Sequence, residues 1–492
     1  MNGEPDLYIG GRWRHASDAG TREIVNPADG SIAAVVDEAT DADARDAVQA
    51  ARAAFDDGAW PATPVAERAA LLMRIADLLQ RDREDLSLLE TRDTGKTLAE
   101  SRIDIDDVTS VFRYYAKLVG VQADRVIDVG DPDVISRVVR EPIGVCVLIA
   151  PWNYPLLQMS WKIAPALGAG CTMVAKPSEV TPLSTIAFVH LLEEAGVPGG
   201  VVNLVQGSGA ALGAALTDNG DVDFISFTGG LATGRTISKV AAEHVTKVAV
   251  ELGGKNPHIV FADIGTGDGW DAAVDQVLTG VFLHSGQVCS AGTRLIVEES
   301  IADDFVTALV ARAEKIRVGD GMDPASETGP LVSEQHRAKV EAHVASAISE
   351  GATLVTGGSI PNAVSAAGCY IQPTVFADVT DDMTIAREEI FGPVMAVLGF
   401  TDEADVIARA NATEYGLAAG VFTSDLARAH RVIGQLEAGT CWINTYNITP
   451  VEAPFGGVKQ SGVGRENSRA ALDHYSQIKS VYVATGPVTA AY

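Results

Sequence analysis

The chain has 492 residues, of which 47% are hydrophobic and 21% charged, enough apolar material for roughly two to four packed domains. Thirty-seven Lys and Arg face 65 Asp and Glu, a formal charge of −28. Such a surface repels phosphate backbones and anionic headgroups, which excludes nucleic acid and membranes as expected partners.

The opening MNGEPDLYIGGRW has no basic segment followed by an apolar one, and no uninterrupted apolar run approaches the ~18 residues of a spanning helix. The expectation is a cytoplasmic protein. Five cysteines, Cys146, Cys171, Cys289, Cys369 and Cys441, are odd in number and have no CxxC spacing. They fit neither a disulfide framework nor a zinc site, so each reads first as a small buried hydrophobe.

Helical periodicity runs over Asp41–Phe55 and Val65–Leu89. From Ile143 short apolar runs alternate with helical patterns. Strands are expected at Ile143–Ala150, Thr172–Ala175, Val201–Val205, Val222–Phe227 and Lys247–Val250. Helices are expected near Ser184–Ala195, Ala210–Leu216 and Thr233–Glu243. This alternation predicts a parallel, doubly wound sheet. After Asn256 it resumes with Ile259–Phe261, a helix to about Phe282, the strand Arg294–Glu298 and further units to about Asn444, which predicts a second α/β domain.

Ligands of such sheets bind beyond the carboxyl ends of the strands. Those five ends carry Pro151–Pro155, Lys176–Glu179, Gly207-Ser208-Gly209, Thr228-Gly229-Gly230 and Glu251–Lys255. One polar or glycine-rich end means little; five in register suggest a dinucleotide site. Gly207-Ser208-Gly209 with Gly213 has one residue too many for the Rossmann fingerprint and reads equally well as an ordinary turn. Gly229-Gly230 precedes a helix whose first N–H groups could hold a pyrophosphate. Lys176 and Glu179 read as a solvated turn or as ribose contacts; a carboxylate there disfavours a 2′-phosphate and so favours NAD over NADP.

Cys289 has glycines three residues to either side, Gly286 and Gly292, which would let the backbone approach a ligand closely. Glu251 ends an apolar strand, where burial would raise its pKa toward that of a useful base. Its bland alternative is a carboxylate paired with a lysine.

Together these segments resemble the aldehyde dehydrogenase superfamily over essentially the whole chain. The resemblance rests on PWNYP at Pro151–Pro155, KPSE at Lys176–Glu179, FTGG at Phe227–Gly230 and ELGGKNP at Glu251–Pro257. It rests further on GQVCSAG at Gly286–Gly292, EEIFGPV at Glu388–Val394 and PFGGVKQSGVGREN at Pro454–Asn467. Within the superfamily the chain is similar to the betaine aldehyde dehydrogenases and their trimethylaminobutyraldehyde relatives.

The resemblance implies an α/β fold with a Rossmann-like NAD domain over 1–123 and 143–253. A second α/β catalytic domain covers 254–472, and a small β oligomerisation hairpin is made from 124–142 and 473–492. It implies NAD-dependent oxidation of an aldehyde to its acid through a Cys thiohemiacetal and thioester, in a homodimer or homotetramer. Cys289 matches the nucleophile, Glu251 the general base and Asn153 the oxyanion donor, with Lys162 and Glu466 as a supporting proton relay. The cofactor set is Ala150, Trp152, Lys176, Ser178, Glu179, Gly207, Gly229, Gly230, Thr233, Leu252, Glu389 and Phe391. Gly230 departs from the commoner serine and loses one hydroxyl contact.

Some relatives bind a potassium ion near the positions of Asp93 and Val180. Tyr154, Trp161 and Phe455 match an aromatic box for a quaternary ammonium, which only ring faces can recognise. Leu283, where plant members carry a tryptophan, counts against that narrow choice. The expected substrate is betaine aldehyde. An aminoaldehyde such as 4-aminobutyraldehyde or 4-trimethylaminobutyraldehyde, a broad aliphatic specificity, and a non-catalytic NAD-binding protein are the alternatives.

Overall fold

The computed structural model describes residues 3–487 apart from 122, 266 and 363. The five strands read from the sequence form the centre of an eight-stranded sheet. Along it lie Val202–Leu204, Thr172–Lys176, Val145–Ile149, Phe224–Thr228 and Lys247–Glu251, each parallel to its neighbour. In chain order this is 3-2-1-4-5, so the winding reverses between Val145–Ile149 and Phe224–Thr228. Leu7–Ile9 and then Arg12–Arg14 close one side and Gly462–Val463 the other, all antiparallel.

Both faces of this sheet are covered. Val145, Val147 and Ile149 enter one core with Ala44, Val48 and Leu212, while Cys146 and Leu148 enter another with Leu72, Phe112 and Met159. A strand buried on both faces needs apolar residues at every position, which is why these strands appear as unbroken apolar runs.

The helices bring one correction. The periodicity over Val65–Leu89 belongs to two helices, Val65–Arg81 and Arg83–Thr94, separated at Asp82 (φ −98°, ψ 18°). Leu72, Ile75, Leu79 and Leu86 all enter the same core, so the apolar phase carries across the break and conceals it. The next helix, Leu98–Val119, begins at a reciprocal cap in which Thr97 accepts from the Glu100 N–H and Glu100 accepts from the Thr97 N–H.

A second sheet has seven strands. Thr374–Ala377, Val394–Phe400, Arg294–Glu298, Pro257–Val260, Ala418–Phe422 and Thr440–Ile443 are parallel, and Thr353–Thr356 is antiparallel at one edge. The boundary expected at residue 253 falls between Lys247–Glu251 of the first sheet and Pro257–Val260 of the second.

Residues 125–142 and 476–484 form a third, antiparallel sheet of Arg125–Ile127, Val134–Pro142 and Ser476–Ala484. Val126, Ile478 and Tyr482 on it are 75%, 59% and 66% exposed, a high value for apolar side chains gathered on one small sheet. Residues 488–492 of the expected oligomerisation segment lie outside the described residues, as do residues 1, 2 and 122 of the expected NAD domain. Among the described residues no helix is long and apolar enough to cross a membrane.

Candidate active site

A cavity of about 220 Å³ opens at the carboxyl ends of Val145–Ile149 and Phe224–Thr228, where the winding reverses. Asn153, Glu251 and Cys289 share it, although they come from three separate parts of the chain. Trp152, Gly229, Gly230, Leu252, Glu389 and Phe391 of the expected cofactor set line it as well.

The loop carrying Cys289 is held by side chains from elsewhere. Asn256 Nδ2 donates to the Cys289 carbonyl at 2.9 Å and the Ala291 carbonyl at 3.0 Å. The Tyr446 hydroxyl donates to the Ser290 carbonyl at 2.8 Å. Three successive carbonyls after the thiol are thus fixed, and Asn256 Oδ1 accepts in turn from the Ala418 N–H. Gln287 ties the loop from the other side, accepting the Val332 N–H at its Oε1. Asn153 Nδ2 donates to the Gln287 carbonyl at 2.8 Å, which orients the amide and leaves its second N–H available.

The glycines flanking Cys289 have a different explanation from close approach to a ligand. A Cβ on Gly286 would lie 2.2 Å from the Gly392 carbonyl oxygen, and one on Gly292 would lie 2.4 Å from the His258 ring. Both glycines admit other parts of the protein. Cys289 itself is half-buried, and burial together with the Glu389 and Glu251 carboxylates pushes its thiol up to about 12.

Glu251 ends its strand 5% exposed, and neither carboxylate oxygen has a hydrogen-bond partner among the described residues. Burial raises its pKa well above the usual carboxylate range, and repulsion from Glu466 adds to this. The lysine that the bland reading would place on Glu251 is engaged elsewhere. Lys162 Nζ donates to Ser226 Oγ at 3.0 Å, Thr228 Oγ1 at 2.8 Å and Glu466 Oε1 at 2.5 Å, which uses all three of its N–H groups.

Toward the cofactor side, Gly230 caps the helix Leu231–Glu243, and a Cβ added there would meet nothing within 4 Å, so a serine would fit. Glu389 accepts the Gly254 N–H at 3.0 Å. Phe391 adopts a left-handed backbone (φ 63°), and its ring meets Trp152 edge-on at 5.2 Å. Farther along the same sheet end, Lys176 Nζ lies 3.7 Å from Glu179, beside the buried Ser178. Ala150 is buried at the head of the Pro151–Pro155 turn, and Thr233 is exposed on its helix. Gly207 packs on Leu212 and Ala39, and Ser208 caps the helix Gly209–Thr217.

The three aromatic residues are not all paired with one another. Trp161 and Phe455 are tilted together with centroids 5.6 Å apart. Tyr154 instead meets His284 edge-on at 5.5 Å, and Lys96 Nζ lies 4.2 Å over its ring. Asp93 is fully buried, with Oδ2 accepting the Leu183 N–H and Oδ1 lacking a partner. Val180 follows on the adjoining turn. Among the described residues no cluster of His, Cys, Asp and Glu could hold a metal ion.

Sequence reasoning did not find Asn256, Tyr446, Gln287 or His336 in these positions. His336 donates from Nε2 to the Phe391 carbonyl at 2.6 Å and lines the cavity. Tyr446 is committed at both ends, its hydroxyl to the Ser290 carbonyl and its ring to His258, 3.9 Å away.

A family model described as "Aldehyde dehydrogenase family" matches residues 13–481. The betaine aldehyde dehydrogenase of Bacillus subtilis is 50% identical over 482 residues, 98% of either chain. That of Cereibacter sphaeroides is 49% identical over 486 residues, 99% of this chain and 98% of the relative. A crystal structure of the Staphylococcus aureus betaine aldehyde dehydrogenase in complex with NAD+ superposes with a TM-score of 0.96. It is 45% identical and covers 99% of this chain and 96% of its own.

Proposed function

The chain belongs to the aldehyde dehydrogenase family, and from that premise we propose that it oxidises betaine aldehyde to glycine betaine through a covalent intermediate on Cys289. It is an NAD-dependent oxidoreductase that converts an aldehyde to a carboxylic acid. The observation that carries this reading is one cavity shared by a thiol, an unpartnered carboxylate and an oriented amide donor.

The thiol of Cys289 is held protonated near neutral pH, so its attack requires a proton acceptor. Glu251, whose carboxylate has no side-chain donor among the described residues, supplies one. Attack on the aldehyde carbon gives a thiohemiacetal whose oxyanion is stabilised by the second N–H of Asn153 and the Cys289 N–H. Each such donor contributes about 3–4 kcal/mol. Bound NAD+ supplies the acceptor for the hydride. The resulting thioester is hydrolysed by water that loses a proton to Glu251, and the Lys162–Glu466 pair offers that proton a buried route away from the cavity.

For the cofactor, the first turn of the helix that Gly230 caps and the Lys176–Glu179 pair suit a pyrophosphate and a ribose, while the Gly229 N–H is committed to the Glu251 carbonyl. Glu389 and Phe391 would meet the nicotinamide ribose. The unpartnered Oδ1 of Asp93 is the atom that would take a monovalent cation near Val180. Trp161 and Phe455 are the ring faces for a quaternary ammonium, each contributing about 0.5–2 kcal/mol. A second reading, an aminoaldehyde or aliphatic aldehyde, draws support from Tyr154, whose ring already carries the Lys96 cation. The exposed apolar residues of the third sheet support a homo-oligomer.

The test is NADH formation from betaine aldehyde, 4-aminobutyraldehyde and propanal. The highest kcat/KM is expected with betaine aldehyde. Equal values for propanal would reduce the aromatic pair to a tunnel wall.

A further inference from the structure

Gln158 belongs to the helix Pro155–Ala169 and lines the same cavity as Cys289, Glu251 and Thr228. It is 5% exposed, and its Oε1 is buried without a hydrogen-bond partner. Buried amide oxygens rarely lack a donor, and one that does points to something the site takes up in use. Gln158 does not stand alone. Glu251 lines the same cavity, and its buried oxygens have no side-chain donor among the described residues.

The nearby donors are already spent. The three N–H groups of Lys162 go to Ser226, Thr228 and Glu466. One N–H of Asn153 goes to the Gln287 carbonyl, and the other is needed at the oxyanion. The Gly457 N–H reaches one side of the Glu251 carboxylate, so what joins Gln158 Oε1 to the rest of Glu251 is a group entering the cavity with two donors of its own. An aldehyde brings none, and neither does a quaternary ammonium. A water molecule brings two.

We propose that Gln158 is the second acceptor for the hydrolytic water. Its Oε1 takes one O–H while Glu251 takes the other, which turns the water's lone pair toward the thioester on Cys289. The proposal rests on the reading of Glu251 as the base. The water oxygen bonds to the thioester carbon, the carbonyl electron pair moves onto oxygen, and one water proton passes to Glu251. The tetrahedral adduct then collapses, the C–S bond breaks, and the sulfur recovers that proton. The O–H held by Gln158 stays with the product acid, so no oxidant or reductant enters the step. Gln158 shares a helix face with Tyr154 and Trp161, four residues before it and three after.

The experiment is rapid-quench single turnover with betaine aldehyde and NAD+ on the wild type, Gln158→Met and Glu251→Gln, following NADH and the acyl adduct on Cys289 by mass spectrometry. Methionine keeps the length of Gln158 and loses the strong acceptor. Gln158→Met is expected to form NADH in a burst of wild-type amplitude, which also reports its folding. Its acyl-enzyme is expected to decay roughly tenfold more slowly, the usual size of one lost hydrogen bond in a reacting site. Unchanged decay in Gln158→Met, beside stalled decay of the acyl-enzyme that Glu251→Gln forms after its slowed thiol attack, would overturn the role of Gln158 and leave the base in place. A smaller burst with a raised KM would overturn it too, because Gln158 would then act on aldehyde binding. Wild-type decay in Glu251→Gln would remove the base and, with it, this proposal.

Discussion

The loop that carries Cys289 and the strand end that carries Glu251 face one cavity, yet their polar groups stand in opposite conditions. Around Cys289 the carbonyls of residues 287, 289, 290 and 291 each accept a side-chain donor. Around Glu251 three buried acceptor atoms, two of its own and one of Gln158, have no side-chain donor among the described residues, and the Gly457 N–H is the backbone group that reaches the carboxylate. The first arrangement keeps donors where an oxyanion will form and leaves nothing to reorganise during the reaction. The second keeps a carboxylate readily protonated and gives a water molecule its reason to bind. A site that adds a nucleophile and then removes an acyl group uses both: a fixed half for the carbon and an unsatisfied half for the proton.

Ways to break this contrast follow in order of expected effect. Asn153→Ala removes a donor from the fixed half and should lower kcat by about 10²–10³-fold with little change in KM; a raised KM with kcat unchanged would place Asn153 in ground-state binding. Asn256→Ala frees the carbonyls of Cys289 and Ala291. We expect kcat to fall roughly 10- to 100-fold through misplacement of the loop. Thermal unfolding should show a loss of about 1–3 kcal/mol for a buried group left unpaired. Wild-type kcat at a lowered Tm would mean the clamp serves stability only.

The unsatisfied half is best probed by pH. The working form of Glu251 is the carboxylate, and its pKa is raised, so activity is present above that raised value and lost as pH falls through it. Below it, kcat should decline by about tenfold per unit, and the limb should vanish from the residual activity of Glu251→Gln. The thiol shifts in the same direction. With Cys289 at about 12, alkylation of the free enzyme by iodoacetamide should be slow near neutrality and still rising at pH 9. A plateau reached below pH 8 would contradict that environment. Phe455→Ala should lower kcat/KM for betaine aldehyde about 3- to 30-fold, from ~0.5–2 kcal/mol of cation–ring attraction, and leave propanal nearly unchanged.

Much of the first sheet could be read from the sequence because its central strands are buried on both faces and bounded by Gly and Pro. The break at Asp82 could not, since the apolar phase runs through it. Cys289, Glu251 and Asn153 stood out because short motifs surround each of them. The clamp did not, because its bonds join residues far apart in the chain: Asn256 to Cys289 spans 33 positions, Asn153 to Gln287 spans 134 and Tyr446 to Ser290 spans 156. Nothing local in the sequence marks such partners. The glycines beside Cys289 illustrate a similar limit. Their need for a bare backbone was legible, but the neighbours that impose it, Gly392 and His258, are visible only in the fold.

The central claim is that oxidation passes through Cys289, and the most direct measurement is NADH formation from betaine aldehyde by the wild type and by Cys289→Ala side by side. The account predicts that the variant still folds and binds NAD+ but loses turnover by at least about 10³-fold. NADH formed by Cys289→Ala at a rate near that of the wild type would contradict it.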